Sequence, residues 1–202
     1  MNQCYNEDKS RLAVLNNEVF RDNIEKILAY NKEFVAKEEY KKIQTSKYPD
    51  KKIAILTCMD TRLVELLPAA LGIKNGDVKL IKNAGGMITS PFDSVVRSLL
   101  IGIVELGVEE VMVIGHTDCG VAHINEEMMI THLLQRGVSR EHVDMMRYAG
   151  IDFKSWLRGF DDVETSVHET IALLKHHPLM PKDVNISGYV INTETGELTP
   201  IV

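Results

Sequence analysis

The chain has 202 residues, of which 45% are hydrophobic and 26% charged, and its formal net charge is -6. These values are ordinary for a globular protein with room for a substantial core. A basic groove for nucleic acid is not expected in an acidic chain, and no apolar run approaches the roughly 20 residues of a membrane span. We therefore expect 1–202 to form one domain with neither a nucleic-acid nor a membrane partner.

The N-terminal residues and the cysteines indicate the compartment. Residues 1–11 are polar and lack the apolar core of a signal peptide. Cys4, Cys58 and Cys119 form an odd set without the spacing of a disulfide framework, which favours a reducing environment. We predict a cytoplasmic protein, and we do not expect Cys4 to bind a metal.

Residues 17–42 are charged, lack glycine and proline, and repeat apolar residues at helical spacing, which predicts one long or two shorter helices. A Tyr-Pro-Asp break follows at 48–50. Three strands are predicted next, at 52–58, 78–81 and 111–114, and the first contains the continuous apolar run 53–56. Continuous apolarity is typical of strands that are covered on both faces, as in a parallel sheet.

Helices are predicted between these strands. One spans 63–71, where Pro68 is expected to interrupt it, and the other spans 91–106, where Pro91 fits the first turn. Helices and strands that alternate in this way are typical of an α/β domain. We expect a central, mostly parallel β-sheet flanked by helices, with residues 1–50 as an N-terminal helical arm.

After residue 120 the pattern is weaker. Residues 122–134 and 163–174 are predicted to be helical, and the stretch at 137–160 between them is mixed. Residues 184–190 predict a strand, and 198–202 a hairpin partner that folds back on it.

Two short motifs follow the first and third predicted strands: Cys-Met-Asp-Thr-Arg at 58–62 and His-Thr-Asp-Cys-Gly at 116–120. Functional residues of parallel sheets gather beyond the carboxyl ends of the strands, so we expect the motifs to meet there. Thiolates from Cys58 and Cys119 and the imidazole of His116 form a three-ligand zinc set with one open position, as in catalytic zinc sites. The alternative is that each cysteine is a small core residue, since His-x-x-Cys alone is a weak signal.

Asp60 and Arg62 lie directly after the first predicted ligand. Arg62 can hold the Asp60 carboxylate by charge-assisted hydrogen bonds, and the held carboxylate can orient a zinc-bound hydroxide toward a substrate. Released from Arg62, Asp60 could instead become a fourth zinc ligand and close the site, with activity lost on the acidic side. The alternative is a surface salt bridge of little energetic value. We interpret the two residues as the catalytic pair.

Asn83-Ala84-Gly85-Gly86 follows the second predicted strand. Its backbone N–H groups lie near the start of a helix and could bind an anion or the substrate. A turn that requires glycine geometry is an equally open interpretation.

The other histidines have no spacing that links them to the predicted site. We expect a position on the surface or in the core for each of His123, His132, His142, His168, His176 and His177.

The three motifs Cys-x-Asp-x-Arg, Asn-Ala-Gly and His-x-x-Cys occur in this order in β-class carbonic anhydrases, and the chain resembles compact bacterial or archaeal members of that family. The resemblance covers about 52–120, together with the layout of an N-terminal helical arm and a late strand. The chain has Thr61 where the family often has Ser, and Lys82 where it often has Arg. Both changes are conservative.

The resemblance implies reversible hydration of carbon dioxide to bicarbonate and a proton. It implies one Zn²⁺ per chain on Cys58, His116 and Cys119, with Asp60 and Arg62 as the catalytic pair. It also implies a homodimer or a dimer-based oligomer in which the helical arm packs on the partner subunit. Some relatives hydrolyse carbonyl sulfide or carbon disulfide with the same ligands, so that activity remains an alternative. A non-catalytic zinc or thiol sensor is the third possibility.

Overall fold

The computed structural model describes residues 22–201. The predictions for the polar N-terminus, for Cys4 and for the beginning of the helix at 17–42 concern residues outside this range. Contacts divide the chain into two compact units, Met1–Thr45 and Ser46–Val202. The second unit contains the predicted strands and both motifs.

The first unit is helical where it is described. Helix α1 spans 22–36, and a 3₁₀ helix follows at Glu39–Ile43. Glu38 precedes the 3₁₀ helix with a left-handed backbone (φ 54°), a conformation with which a right-handed helix cannot continue. The helical prediction for 17–42 is confirmed over its described part as two helices.

The second unit is built on one five-stranded sheet with the spatial order β2-β1-β3-β4-β5. In chain order the strands are β1 Ile53–Cys58, β2 Val78–Asn83, β3 Glu110–His116, β4 Asn185–Ile191 and β5 Leu198–Pro200. Strands β1 to β4 are parallel, and β5 is antiparallel to β4. The predicted mostly parallel sheet and the hairpin at the end of the chain are confirmed.

Helices connect the strands. They are α2 Leu66–Leu71, α3 Ser94–Leu106, α4 Glu126–Gln135, α5 Arg140–Tyr148, α6 Phe153–Trp156 and α7 Val163–His176. A short 3₁₀ helix at Thr61–Leu63 lies two residues beyond the end of β1, and another at Ala84–Gly86 directly follows β2. Within 22–201, no helix is long and apolar enough to cross a bilayer.

Alternate side chains of the central strands fill two cores on opposite faces of the sheet. Ala54 and Leu56 pack with α3 and α7 on one face, whereas Ile55 packs with α2 on the other. These side chains are fully buried, so the continuous apolar run of β1 corresponds to burial on both faces. The core beside α2 also contains Cys58 and Cys119, and it therefore extends to the two motifs.

Helix α3 begins three residues later than predicted because a side chain caps it. The Asp93 carboxylate accepts hydrogen bonds of 2.9 Å from the backbone N–H groups of Val95 and Val96. Such a cap satisfies N–H groups that have no partner within the helix. The backbone of Asp93 is extended, so the helix starts at Ser94 rather than at Pro91.

Three other predicted segments also differ in detail. Helix α4 starts after Asn125, which caps it, because Ala122 pairs as an isolated bridge with Phe160. Pro68 does not interrupt α2, since it lies in the first turn, where a missing N–H removes no helical hydrogen bond. The mixed stretch at 137–160 contains α5 and α6.

Candidate metal centre

Strand β1 ends at Cys58, which is buried. The backbone N–H of Met59 donates to the carbonyl of Asn83 on β2 at 2.8 Å. On the other side, the Thr57 hydroxyl donates to the carbonyl of Ile114 on β3, also at 2.8 Å. The sheet thus holds the end of β1 from both sides and fixes the position of the Cys58 thiol.

Strand β3 ends at His116, which is 1% exposed. Its Nδ1 donates to the carbonyl of Thr117 at 2.8 Å, which leaves the lone pair on Nε2 in the neutral ring. This buried Nε2 has no hydrogen-bond partner among the described residues. An unpaired buried polar atom is costly, and a bound metal ion would satisfy it.

The ligand atoms of Cys58, His116 and Cys119 all lie within 4.8 Å of one another, and all three residues are buried. The two sulfur atoms are 3.8 Å apart. Two sulfurs bound to one tetrahedral zinc at about 2.3 Å would be separated by about 3.8 Å. The donor set and its spacing therefore fit a zinc ion, with one coordination position left over.

The two thiols differ in acidity. The hydrogen bond from Cys119 is the main cause that lowers the pKa of Cys58, and the backbone N–H groups of Gly85 and Asp60 add to it. The same contact, together with burial, raises the pKa of Cys119. A thiolate at Cys58 is therefore favoured before any metal binds, and it would attract a divalent cation.

Asp60 and Arg62 form a tightly paired group beside these ligands. Arg62 donates from Nε to Asp60 Oδ1 at 3.0 Å and from Nη2 to Oδ2 at 2.9 Å, and its backbone N–H reaches Oδ1 at 2.9 Å. These hydrogen bonds hold the pKa of Asp60 well below its usual range. Asp60 Oδ2 lies 3.9 Å from His116 Nε2, so an ionised carboxylate faces the ligand group while it remains paired with Arg62.

Arg62 has a second partner that sequence reasoning missed. Its Nη1 donates to Asp118 Oδ2 at 2.8 Å, and its Nη2 donates to the backbone carbonyl of Asp118 at 2.7 Å. Asp118 lies between two predicted ligands in the second motif. An acidic residue at that position was the feature of the sequence that could have identified it as a partner of Arg62. Arg62 thereby connects the loop after β1 to the loop after β3.

The glycines of the 83–86 segment lie against the end of β1. Gly85 and Gly86 have positive φ angles of 83° and 63°, and a Cβ on Gly86 would lie 2.9 Å from the backbone nitrogen of Cys58. The segment therefore has the backbone conformation of a turn that requires glycine, as one of the two interpretations predicts. Gly85 directs its N–H to the Cys58 thiol. An anion-binding or substrate-binding role for the segment stays a prediction.

Asn83 and Ala84 contribute to a cavity of about 250 Å³. Asn83 donates from Nδ2 to the carbonyl of Met87 at 2.7 Å, and its buried Oδ1 has no hydrogen-bond partner in the described part of the chain. Apolar side chains form much of the wall, among them Met87, Val121, Ile124, Met129 and Leu157. Val121 also packs in the core cluster that contains Cys58 and Cys119, so the cavity adjoins the ligand group.

A larger and more polar cavity, of about 510 Å³, opens next to the second motif. His116, Asp118 and Cys119 line it, and so do His123 and Asp161. The side chain of His123 is 73% exposed, which agrees with one of the two positions predicted for it, the surface. This exposed side chain also forms part of the cavity wall.

Comparisons with known proteins agree with this geometry. The family model described as carbonic anhydrase matches residues 53–198. YtiB of Bacillus subtilis, which is provisionally named a carbonic anhydrase, is 51% identical over 176 residues, which cover 87% of this chain and 94% of YtiB. A carbon disulfide hydrolase of Saccharolobus solfataricus is 35% identical over 161 residues, which cover 74% of this chain and 76% of that enzyme.

The fold is also similar to a solved structure of the same family. The crystal structure of β-carbonic anhydrase isoform I from Trichomonas vaginalis matches with a TM-score of 0.79 and 34% sequence identity, covering 89% of this chain and 97% of that chain. The family match spans both motifs and the whole sheet up to the beginning of β5. The chain belongs to the β-class carbonic anhydrase family and is an enzyme of that class of lyases.

Proposed function

We propose that this enzyme catalyses the reversible hydration of carbon dioxide to bicarbonate and a proton, with one zinc ion held by Cys58, His116 and Cys119. One observation carries the proposal: a buried three-ligand group lies beside a fixed carboxylate, with Asp60 Oδ2 3.9 Å from His116 Nε2. Zinc at such a site acts as a Lewis acid that makes a water molecule acidic near neutral pH.

In this proposal Asp60 orients the attacking oxygen. Arg62 donates two hydrogen bonds to Oδ1 of Asp60 and one to Oδ2, so Oδ2 keeps a lone pair that can accept a further hydrogen bond. The accepted hydrogen bond would direct a lone pair of the attacking oxygen toward the carbon of the substrate. Arg62, itself held by Asp118, would keep Asp60 from taking the open metal position.

The cavity of about 250 Å³ supports a small, uncharged substrate. Its wall includes Met87, Val121 and Ile124, which suit an apolar gas molecule. The unpaired Oδ1 of Asn83 belongs to the same cavity wall and could hydrogen-bond to a protonated product. In this proposal the 83–86 segment borders the substrate as well as the Cys58 thiolate.

Hydrolysis of carbon disulfide or carbonyl sulfide is the second candidate function. It is favoured by relatives named carbon disulfide hydrolases, three of which are 31%, 35% and 32% identical to this chain. The same ligands and the same carboxylate would serve both reactions, so selectivity would depend on the cavity wall.

A thiol sensor is the third candidate. The 3.8 Å separation of the Cys58 and Cys119 sulfurs is compatible with it, but a sensor would have no use for the Asp60–Arg62 pair.

Stopped-flow carbon dioxide hydration, with zinc quantified on the same sample, is the deciding experiment. Fast hydration with about one zinc per chain is expected. Turnover of carbon disulfide and carbonyl sulfide is measured in parallel, and faster turnover of either gas would favour the second candidate. Full zinc occupancy with no turnover of any of the three gases would favour the third candidate, a thiol sensor.

Matched cysteine variants test the ligand set. Cys58→Ser and Cys119→Ser should lose both zinc and activity, because a serine hydroxyl does not replace a thiolate ligand. Cys4→Ser is the control and should keep both. Retention of full activity by a zinc-free Cys58 variant would contradict the proposal.

We also propose that the enzyme is a dimer, or an oligomer built from dimers, in the cytoplasm. Helix α1 leaves Ile24, Ile27 and Leu28 more than two-fifths exposed, and an apolar surface of this kind favours a partner subunit. Cys58 and Cys119 are free thiols, which a reducing compartment preserves. Sedimentation equilibrium tests the first statement, and a single-chain mass at micromolar concentration would contradict it.

A further inference from the structure

Hydration as proposed above produces a proton that has to leave the site in every turnover, and the following inference rests on that proposed function. Asp60 is poorly placed to export it, because both carboxylate oxygens are engaged by Arg62. Rapid export requires a group that gains and loses a proton near neutral pH, and histidine is the side chain with that property.

We propose that His123 is the proton-relay residue of this enzyme, and that it accepts the proton on Nε2 and passes it to buffer. His123 lines the cavity of about 510 Å³ into which His116 and Cys119 also face. Its side chain is 73% exposed, so the same ring reaches both the cavity and the surrounding solution.

The backbone at His123 is fixed by the neighbouring chain. His123 has a left-handed backbone (φ 62°), which is uncommon for a residue other than glycine. Its N–H donates to the carbonyl of Phe160 at 2.8 Å, and Ala122 pairs with Phe160 as a bridge. The backbone of the 122–123 segment is therefore tied to the chain just before α7.

Asp161 determines which ring nitrogen is available. Its Oδ1 lies 3.2 Å from His123 Nδ1, and a carboxylate oxygen can only accept, so the neutral ring carries its proton on Nδ1. The lone pair is then on Nε2. When Nε2 takes up a proton, the carboxylate stabilises the resulting imidazolium; a buffer base then removes that proton, and the ring returns to its starting state.

The cavity extends from His123 to a residue that binds the catalytic pair. Asp118 lines it, and Asp118 also binds Arg62. At about 30 Å³ per molecule, water can fill a space of this size as a continuous hydrogen-bonded path. The charged groups that line the cavity beside His123 are Asp118, Asp161 and Asp162. All three are acidic.

His123→Asn tests the relay, because asparagine tolerates a left-handed backbone and cannot carry a proton in this way. At low buffer concentration kcat should fall by roughly ten- to a hundredfold, while kcat/KM, which does not include proton export, should not change. Added imidazole should restore kcat in the variant and leave the wild type nearly unaffected. His142→Ala, which removes an exposed histidine of α5, should behave as the wild type.

Nitrogen-15 NMR of the zinc-free protein gives a readout that does not depend on turnover. The His123 ring should be protonated on Nδ1 in the wild type, and Asp161→Asn should abolish that preference. A wild-type ring protonated on Nε2 would overturn the assignment of Nε2 as the acceptor.

The outcomes distinguish the relay from the proposed function. An active wild type with an equally active His123→Asn variant at low buffer would overturn the relay alone. A zinc-loaded wild type that does not hydrate carbon dioxide would overturn the hydration function and, with it, the relay.

Discussion

The close approach of Gly86 to β1 leads to a sharp prediction for the substitution Gly86→Ala. A Cβ at this position would lie 2.9 Å from the backbone nitrogen of Cys58 and 2.9 Å from the carbonyl carbon of Thr57. Both are backbone atoms of a central strand, so no side-chain rotation can relieve the overlap. The end of β1 has to move, and the Cys58 thiol moves with it.

Two energetic contributions add up in this variant. The left-handed backbone of Gly86 (φ 63°) costs an alanine about 1–2 kcal/mol, and overpacking against the strand costs about 1–3 kcal/mol. The free energy of unfolding should therefore fall by about 2–5 kcal/mol. Gly72→Ala is the matched control, because Gly72 has nearly the same φ of 61° but no heavy atom within 4 Å of the added Cβ.

Urea unfolding of the zinc-free proteins measures both free energies, and zinc content measures the displacement of Cys58. Gly72→Ala should lose about 1–2 kcal/mol and keep its zinc, whereas Gly86→Ala should lose more and bind zinc more weakly. Equal losses in the two variants, with full zinc occupancy in both, would refute the argument that Gly86 fixes the end of β1.

Three further predictions concern caps and charges. Asp93→Ala should lower the free energy of unfolding by about 1 kcal/mol, and Asp93→Ser, which keeps an acceptor, should recover most of it; equal losses in urea would contradict the cap. Arg62→Gln should keep its zinc but lower kcat/KM for carbon dioxide by roughly a hundredfold or more, since Asp60 is no longer oriented; zinc loss would indicate that Arg62 acts on the ligands instead. In the zinc-free protein, Asp60→Asn should lower the free energy of unfolding. The difference from the wild type should be constant from about pH 5 to 8 and should become smaller below about pH 4. The sign follows from the lowered pKa of Asp60: its contribution is present above the ordinary pKa of a carboxyl and disappears as the group is protonated. A difference that grew on acidification would contradict it.

The sheet was predictable because a strand that is buried on both faces needs consecutive apolar residues, which can be recognised in the sequence. The apolar run 53–56 and the strands predicted at 78–81 and 111–114 all lie in strands of the parallel sheet. The prediction placed Cys58 and His116 at or beyond strand ends, and the structure makes them the last residues of β1 and β3. The polar residues that follow these strands cannot continue in the core, so their position at the sheet edge is also a consequence of burial.

The parts that were not predictable depend on contacts between distant residues. Arg62 and Asp118 are 56 residues apart, and their pairing follows from the adjacency of β1 and β3 rather than from any local pattern. Helices α5 and α6 are short, and they pack into a small core of their own with Ile130, Val143 and Phe153. Helices of this length leave too few turns for hydrophobic periodicity to stand out in the sequence.

The predicted metal ligands and the walls of the cavity beside them belong to different parts of the fold. Cys58 and His116 end strands whose register is fixed by backbone hydrogen bonds, whereas Val121 and Ile124 lie in the segment that follows them. Val121 packs in the core beside α2, but the segment takes no part in the strand pairings of the sheet. In the proposed enzyme, substitutions in this segment would reshape the cavity wall and leave the predicted metal ligands in place, and the relatives of this chain carry the names of both carbonic anhydrases and carbon disulfide hydrolases.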